Sequence, residues 1–137
     1  MPRWLVGAAN SANPCAPRAA LDRRNVTLDG MGGTTWWEKS HRGVCWPEFA
    51  DLDWRGAGLE IEARPTTGDD RLGITGCLCA IAETGTIVVT SSAATPTATA
   101  LLADTHIVIV REGDVVAGME EAFERVRARH DVMPRAI

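Results

Sequence analysis

The stretch Gly73-Ile74-Thr75-Gly76-Cys77-Leu78-Cys79-Ala80-Ile81-Ala82-Glu83-Thr84-Gly85-Thr86-Ile87-Val88-Val89 sets two apolar runs on either side of a short break at Glu83-Thr84-Gly85. Residues 86–90 are rich in β-branched side chains and read as a buried strand. Residues 77–82 read as either a strand or a short helix, and the three-residue break containing glycine favours the strand, as the other arm of a hairpin. Further on, Thr95 and Pro96 have the order of an N-cap and a first helical residue, predicting a short helix over 97–103. Residues 106–110 are apolar on both faces, as in the interior of a parallel or mixed sheet. Asp114 then reads as the cap of a helix on which Val115, Met119, Ala122, Phe123 and Val126 recur as one stripe that must face the sheet. Glu121 and Arg125 form an i, i+4 pair, Arg125, Arg127, Arg129 and His130 complement the helix dipole, and Pro134 is the stop signal. Strand, short crossover, strand and covering helix over 86–130 is the local order of an α/β protein, so the expected class is α/β: a mixed or parallel sheet with flanking helices.

The pattern weakens toward the N-terminus. Residues 1–68 hold five of the seven prolines, all five tryptophans and the interruptions Ala-Asn-Ser-Ala-Asn-Pro at 9–14 and Gly-Met-Gly-Gly at 30–33. Short regular pieces are expected at 5–8, 19–24 and 26–28, a turn of helix at 47–52, and a half-exposed strand at 59–63, where Leu59, Ile61 and Ala63 alternate with Glu60 and Glu62. The expected organisation is therefore a weakly patterned N-terminal region, 1–68, packed on an α/β core, 69–137.

Composition excludes several classes of function. With 45% apolar and 23% charged residues the chain is neither disordered nor a membrane bundle. Its 14 basic against 18 acidic residues, net charge -4, give no basic field to attract nucleic acid or anionic lipid. No apolar run approaches the about 20 residues of a membrane helix, and 1–7 is too short for the apolar region of a signal peptide. The cysteines at 15, 45, 77 and 79 are accordingly expected to be reduced thiols in the cytoplasm. Cys77-x-Cys79 lacks the paired spacing of a zinc or cluster site, so the two are expected to be structural and no metal site is expected.

Among candidate chemical groups, Glu83 and Thr84 stand in a tight turn that would hold a carboxylate and a hydroxyl rigidly. Such a carboxylate can take a proton, attack an activated acyl group or bond a hydroxy acid. The competing reading makes Glu83 an acceptor for backbone N–H groups of the turn and Gly85 the residue that supplies a positive φ. Thr84, Thr86, Thr90, Ser91 and Ser92 add hydroxyl and backbone donors that can hold an anion. His106, opening a buried strand, can orient a substrate carboxylate or serve as an acid–base group, or be a satisfied strand-end residue. His41 and His130 read as surface residues. Gly30-Met31-Gly32-Gly33-Thr34-Thr35 lacks the lysine of a phosphate loop and reads as linker. Trp36, Trp37, Trp46 and Trp54 can stack on a flat ligand, but with only two Phe and no Tyr they read as core or interface.

The segment 73–89, with Ala-Glu-Thr-Gly-Thr at its centre, and Thr105-His106-Ile107-Val108-Ile109-Val110 together resemble the LUD domain of lactate-utilisation proteins, the protein C type most of all, over about 73–129. The resemblance implies a fold similar to the sugar-phosphate isomerase and coenzyme A transferase superfamily. It also implies a role in oxidising L-lactate to pyruvate beside iron–sulfur partner proteins, with no cofactor held by this chain. The family's Gly-Pro-Ser-Arg-Thr loop, later strands and His-Gly motif do not follow, so the chain reads as a truncated member and its fold as incomplete. Three functions follow as expectations: an accessory subunit of lactate oxidation; an acyl- or sugar-phosphate-type enzyme using Glu83 as the catalytic group, with Thr84, Gly85, Thr86 and His106 binding a small carboxylate; or a non-catalytic scaffold. An exposed strand edge is expected to be covered by homo-oligomerisation.

Overall fold

The computed structural model describes residues 41–132 and 134 in full, and three N-terminal strands as backbone. These strands are β1 (Trp4–Asn10), β2 (Ala19–Asp22) and β3 (Asn25–Val26). They fall where the short regular pieces were expected. The expectations for Cys15, Gly30 to Thr35, Trp36 and Trp37 lie outside the described residues.

Seven strands form the main sheet. β4 (Arg42–Cys45), β5 (Glu60–Glu62), β6 (Leu72–Thr75) and β9 (Thr105–Arg111) run parallel in the order β9-β6-β4-β5. β1 pairs antiparallel with the other side of β9, and β2 and β3 follow outward. The class is α/β with a mixed sheet, as the sequence predicted, and β9 is its doubly buried strand. β5 sits at the edge, and its Glu60 and Glu62 face solvent beside buried Leu59, the alternation expected of a half-exposed strand.

Period-two alternation divides the core between the two faces. One face carries Cys45, Leu72, Ile74, Ile107 and Ile109, and the chain after β4 folds back over it with Trp46, Phe49, Trp54 and Leu59. That segment contains a 3-10 turn, Pro47–Phe49, and is fixed by the indole N–H of Trp54 donating to the Phe49 carbonyl at 2.9 Å. Trp46 and Trp54 are thus core residues. On the other face α1 (Ala98–Leu101) lies on β6. Only glycine fits at residue 73, because a Cβ there would fall within 2.1 Å of the Thr99 carbonyl oxygen.

A second, three-stranded sheet is built from β7 (Cys79–Ile81), β8 (Thr86–Val88) and β10 (Val115–Val116), with β7 in the centre. The hairpin β7–β8 forms as predicted. Its turn places Gly85 at φ +67, where glycine alone is unstrained, and the Gly85 N–H donates to the Ile81 carbonyl at 2.9 Å. α2 (Met119–Arg129) covers this sheet with Ala122 and Val126. Val126 is 1% exposed, a burial that contributes about 1.5–3 kcal/mol.

Four details differ from the sequence reading. The run 86–90 is not buried: β8 is an edge strand on which Thr86 and Ile87 face solvent. β8 and β9 are not joined in one sheet by a crossover, because β9 pairs with β1 and β6 whereas β8 pairs only with β7. The crossover joins β6 to β9 and contains the whole hairpin. The N-cap of α2 is Gly118 rather than Asp114, which ends a 3-10 turn, Glu112–Asp114, while Val115 continues into β10. Residues 115 and 116 gain ladder bonds to β7 that a helix could not give them. The N-cap of α1 is Thr97 rather than Thr95, whose hydroxyl is bonded instead to the Thr90 carbonyl at 3.1 Å.

Candidate functional site

In an open parallel sheet, the strand ends leave a crevice where successive connections depart in opposite directions. Here β4 connects to β5 on one side, and the chain then returns to β6 on the other side of β4. A groove of about 600 Å³ opens at that switch, at the carboxyl ends of β4, β6 and β9. Its floor is Trp46 to Phe49 after β4, Gly76 to Leu78 after β6, and Ile109 with Arg111 on β9. The loop with Thr90, Ser92 and Thr95 forms one wall, and α2 forms the other with Arg125, Ala128, Arg129 and His130.

Local contacts hold these pieces together. The Trp46 N–H donates to the Ile74 carbonyl at 3.0 Å, and its indole N–H donates to the Pro96 carbonyl at 3.2 Å. Glu48 reaches over Gly76 so closely that a Cβ there would lie 2.5 Å from its carboxylate. The Thr95 hydroxyl donates to the Thr90 carbonyl, so Ser92 supplies the proton of the 2.7 Å Ser92–Thr95 hydroxyl pair. Those hydroxyl protons are used internally. The charged donors of the groove are arginines of β9 and α2.

Three arginines, 111, 125 and 129, face the groove against two carboxylates, Glu48 and Asp114. Arg111 lies 3.4 Å from Glu48. Arg125 lies 3.3 Å from Asp114 and donates to the Gly113 carbonyl at 3.1 Å. Arg129 has no ion pair among the described residues. His130, half-buried at the end of α2, has its Nε2 3.2 Å from the Thr90 hydroxyl. The Cys77 thiol also lines the groove, and burial, aided by Asp114, pushes its pKa up to about 12. It is a neutral thiol at pH 7, not a nucleophile. The arrangement suits binding of a small anion: the Arg129 guanidinium beside the held Arg125, an indole and an apolar floor.

Of the residues singled out from the sequence, Trp46, Thr90 and Ser92 line the groove, whereas the turn residues and His106 lie elsewhere. Glu83, Thr84 and Gly85 form the exposed turn of the β7–β8 hairpin, followed by Thr86, and Thr84 and Thr86 share a 2.7 Å hydroxyl contact. The bend is pinned on both sides, since Ala82 and Glu83 also donate to the Val116 and Ala117 carbonyls at 2.9 and 3.3 Å. The Glu83 carboxylate lies beside the start of α2, 3.5 Å from where a Cβ on Gly118 would be. His106 is on the main sheet, mostly buried, with Nε2 2.7 Å from the Thr75 hydroxyl, and desolvation lowers its pKa to about 4. None of these five residues lines the groove. Sequence reading gave Arg111 no role, took Arg125 and Arg129 only as partners of the helix dipole, and took His130 as a surface residue, whereas His130 is half-buried in the groove wall against Thr90. The signal was present in the i, i+4 spacing of Arg125 and Arg129, which places both on one flank of α2. Among the described residues no cluster of three or more His, Cys, Asp or Glu could hold a metal, and no helix is long and apolar enough to cross a membrane.

A mixed α/β sheet with an anion-suited groove at the ends of its parallel strands is the class of protein that fold and site define. The chain belongs to the LUD domain family, whose model matches residues 48–137. That match begins well before Gly73, where the resemblance was first legible, and takes in the Trp46-to-Leu59 cover from Glu48 onward. No curated protein and no solved structure matches the chain.

Proposed function

We propose that this protein serves lactate utilisation as an accessory component that binds a small carboxylate of the lactate–pyruvate class in the switch-point groove. In this reading it supports oxidation of L-lactate to pyruvate in the cytoplasm, beside iron–sulfur partner proteins that carry the redox centres. Membership of the LUD domain family supports the pathway. The observation that carries the ligand is Arg129 on the flank of α2, which faces the groove with no ion pair among the described residues, one turn after Arg125, whose guanidinium is held by Asp114 and the Gly113 carbonyl. A guanidinium fork matches a carboxylate in two parallel N–H···O bonds, and the indole of Trp46 suits the small apolar remainder. The exposed Glu83 turn lies outside the groove, so acyl transfer through Glu83 forms no part of the reading.

Titration calorimetry with L-lactate and with pyruvate tests it. Binding of either acid, weakened about tenfold or more by Arg129→Ala with the fold retained, is the expected result. Absence of heat with both acids, or binding indifferent to Arg129→Ala, overturns the ligand assignment. Affinity capture from lactate-grown cells tests the partners: recovery of an iron–sulfur protein is expected, and a capture without one removes the accessory role.

A further inference from the structure

The outer flank of α2 presents apolar surface that the fold leaves uncovered. Met119 is 44% exposed, Phe123 40% and Ile87 of β8 36%, and the three line one shallow apolar depression of about 170 Å³ between α2 and the hairpin. Aromatic and thioether groups grouped in this way mark an interaction surface rather than scattered surface residues. The charges around them identify the occupant. Glu120 stands three residues before Phe123 and Arg127 four after it, so helical spacing places both on the same solvent flank at nearly equal distances from the Phe123 ring. Neither makes an ion pair or a side-chain hydrogen bond among the described residues. A twofold axis passing beside Phe123 turns one helix antiparallel to its copy. Glu120 of each protomer then faces Arg127 of the other, while Met119 and Phe123 pack across the axis.

We infer that this flank of α2 is an isologous interface with a second copy of the chain, centred on Phe123 and sealed by two reciprocal Glu120–Arg127 pairs. Isologous contacts need a surface that is complementary to itself. The acidic first turn and basic last turn of α2 supply that complementarity when the helices run antiparallel. The edge strand β8 lies beside the helix pair and is shielded by it.

Sedimentation velocity of the full chain at about 10 µM tests the interface. The expected result is a dimer, which Phe123→Asp converts to a monomer that keeps the far-UV circular dichroism of the parent, with a melting temperature lowered by the lost dimer linkage. Glu120→Arg alone should weaken the dimer about tenfold by opposing two arginines across the axis, and Glu120→Arg with Arg127→Glu should restore it. A monomer for the unmodified chain overturns the inference. A dimer indifferent to Phe123→Asp, or a charge-reversed pair that fails to recover association in folded protein, overturns it equally. So does a monomer whose Phe123 flank is protected only by a different polypeptide.

Discussion

The imidazole Nε2 of His106 lies 2.7 Å from the Thr75 hydroxyl, linking adjacent parallel strands β9 and β6 inside the sheet. Burial holds the ring neutral, with its pKa lowered from the usual 6.5 to about 4. Between those values the unfolded chain binds a proton that the folded chain does not, so stability rises with pH through this window. The contribution is complete above about 6.5 and is lost as pH falls toward 4, a difference of about 2–3 kcal/mol. Urea midpoints measured from pH 7 to pH 4 should fall accordingly. His106→Gln should remove most of that slope, and an unchanged slope would contradict the assignment.

Asp70 closes the loop between β5 and β6 by accepting bonds from Arg64 Nη2 at 2.7 Å and Nη1 at 3.0 Å, the Thr66 hydroxyl at 2.9 Å and the Thr67 N–H at 3.1 Å. Foremost through Arg64, these bonds hold its carboxyl at about 2. The stabilisation is present above the usual carboxyl value of 3.8 and is lost as pH falls toward 2, a window below that of His106. Asp70→Asn keeps the shape but loses the charge, and should cost about 1–2 kcal/mol at pH 7. Chemical denaturation should show that cost shrinking at pH 2, where the native carboxyl is half protonated.

The packing of α1 on β6 is equally specific. Alanine at residue 73 would place its methyl within 2.1 Å of the Thr99 carbonyl oxygen and 3.0 Å of the Ala103 Cβ, so α1 must move outward. Gly73→Ala should destabilise by about 1–3 kcal/mol. Gly113→Ala, with nothing within 4 Å of the new atom, should stay within about 0.5 kcal/mol of the parent. Equal melting temperatures for the two variants would refute this account.

Local signals made the strands legible where one side-chain period held over several residues. The apolar run of β9, the Gly85 turn and the Leu59–Ile61 alternation are read from neighbours in sequence, and they form as expected. Pairing is different, because nothing between Thr86 and Val89 reports that β8 ends a separate small sheet at β7 rather than pairing with β9 as well. The α2 stripe misled for a related reason: β10 consumes Val115 and Val116, and the small sheet is wide enough to bury only Ala122 and Val126 of the remainder. The groove was least legible. Its lining comes from five separated segments, near residues 46, 76, 92, 111 and 128, that meet only after the sheet has formed. Glu83 drew notice because its turn is well marked locally, which is a property of hairpins rather than of ligand sites.

The thiols give the final prediction. Burial raises the pKa of Cys45 to about 11 and that of Cys77 to about 12, and raises Cys79 as well. Thiolate is the reactive form, so at pH 7.5 well under one part in a thousand of either Cys45 or Cys77 is reactive, against about a tenth of an unperturbed thiol. Iodoacetamide labelling followed peptide by peptide should therefore be slow at all three positions in the native protein. It should quicken in urea, at least a hundredfold at Cys45 and Cys77. Cys77 is the discriminating position because it lines the groove and is reachable by reagent. Native labelling of Cys77 as fast as in urea would mean that the thiol is ionised, and would turn the groove from a binding site into a nucleophilic one.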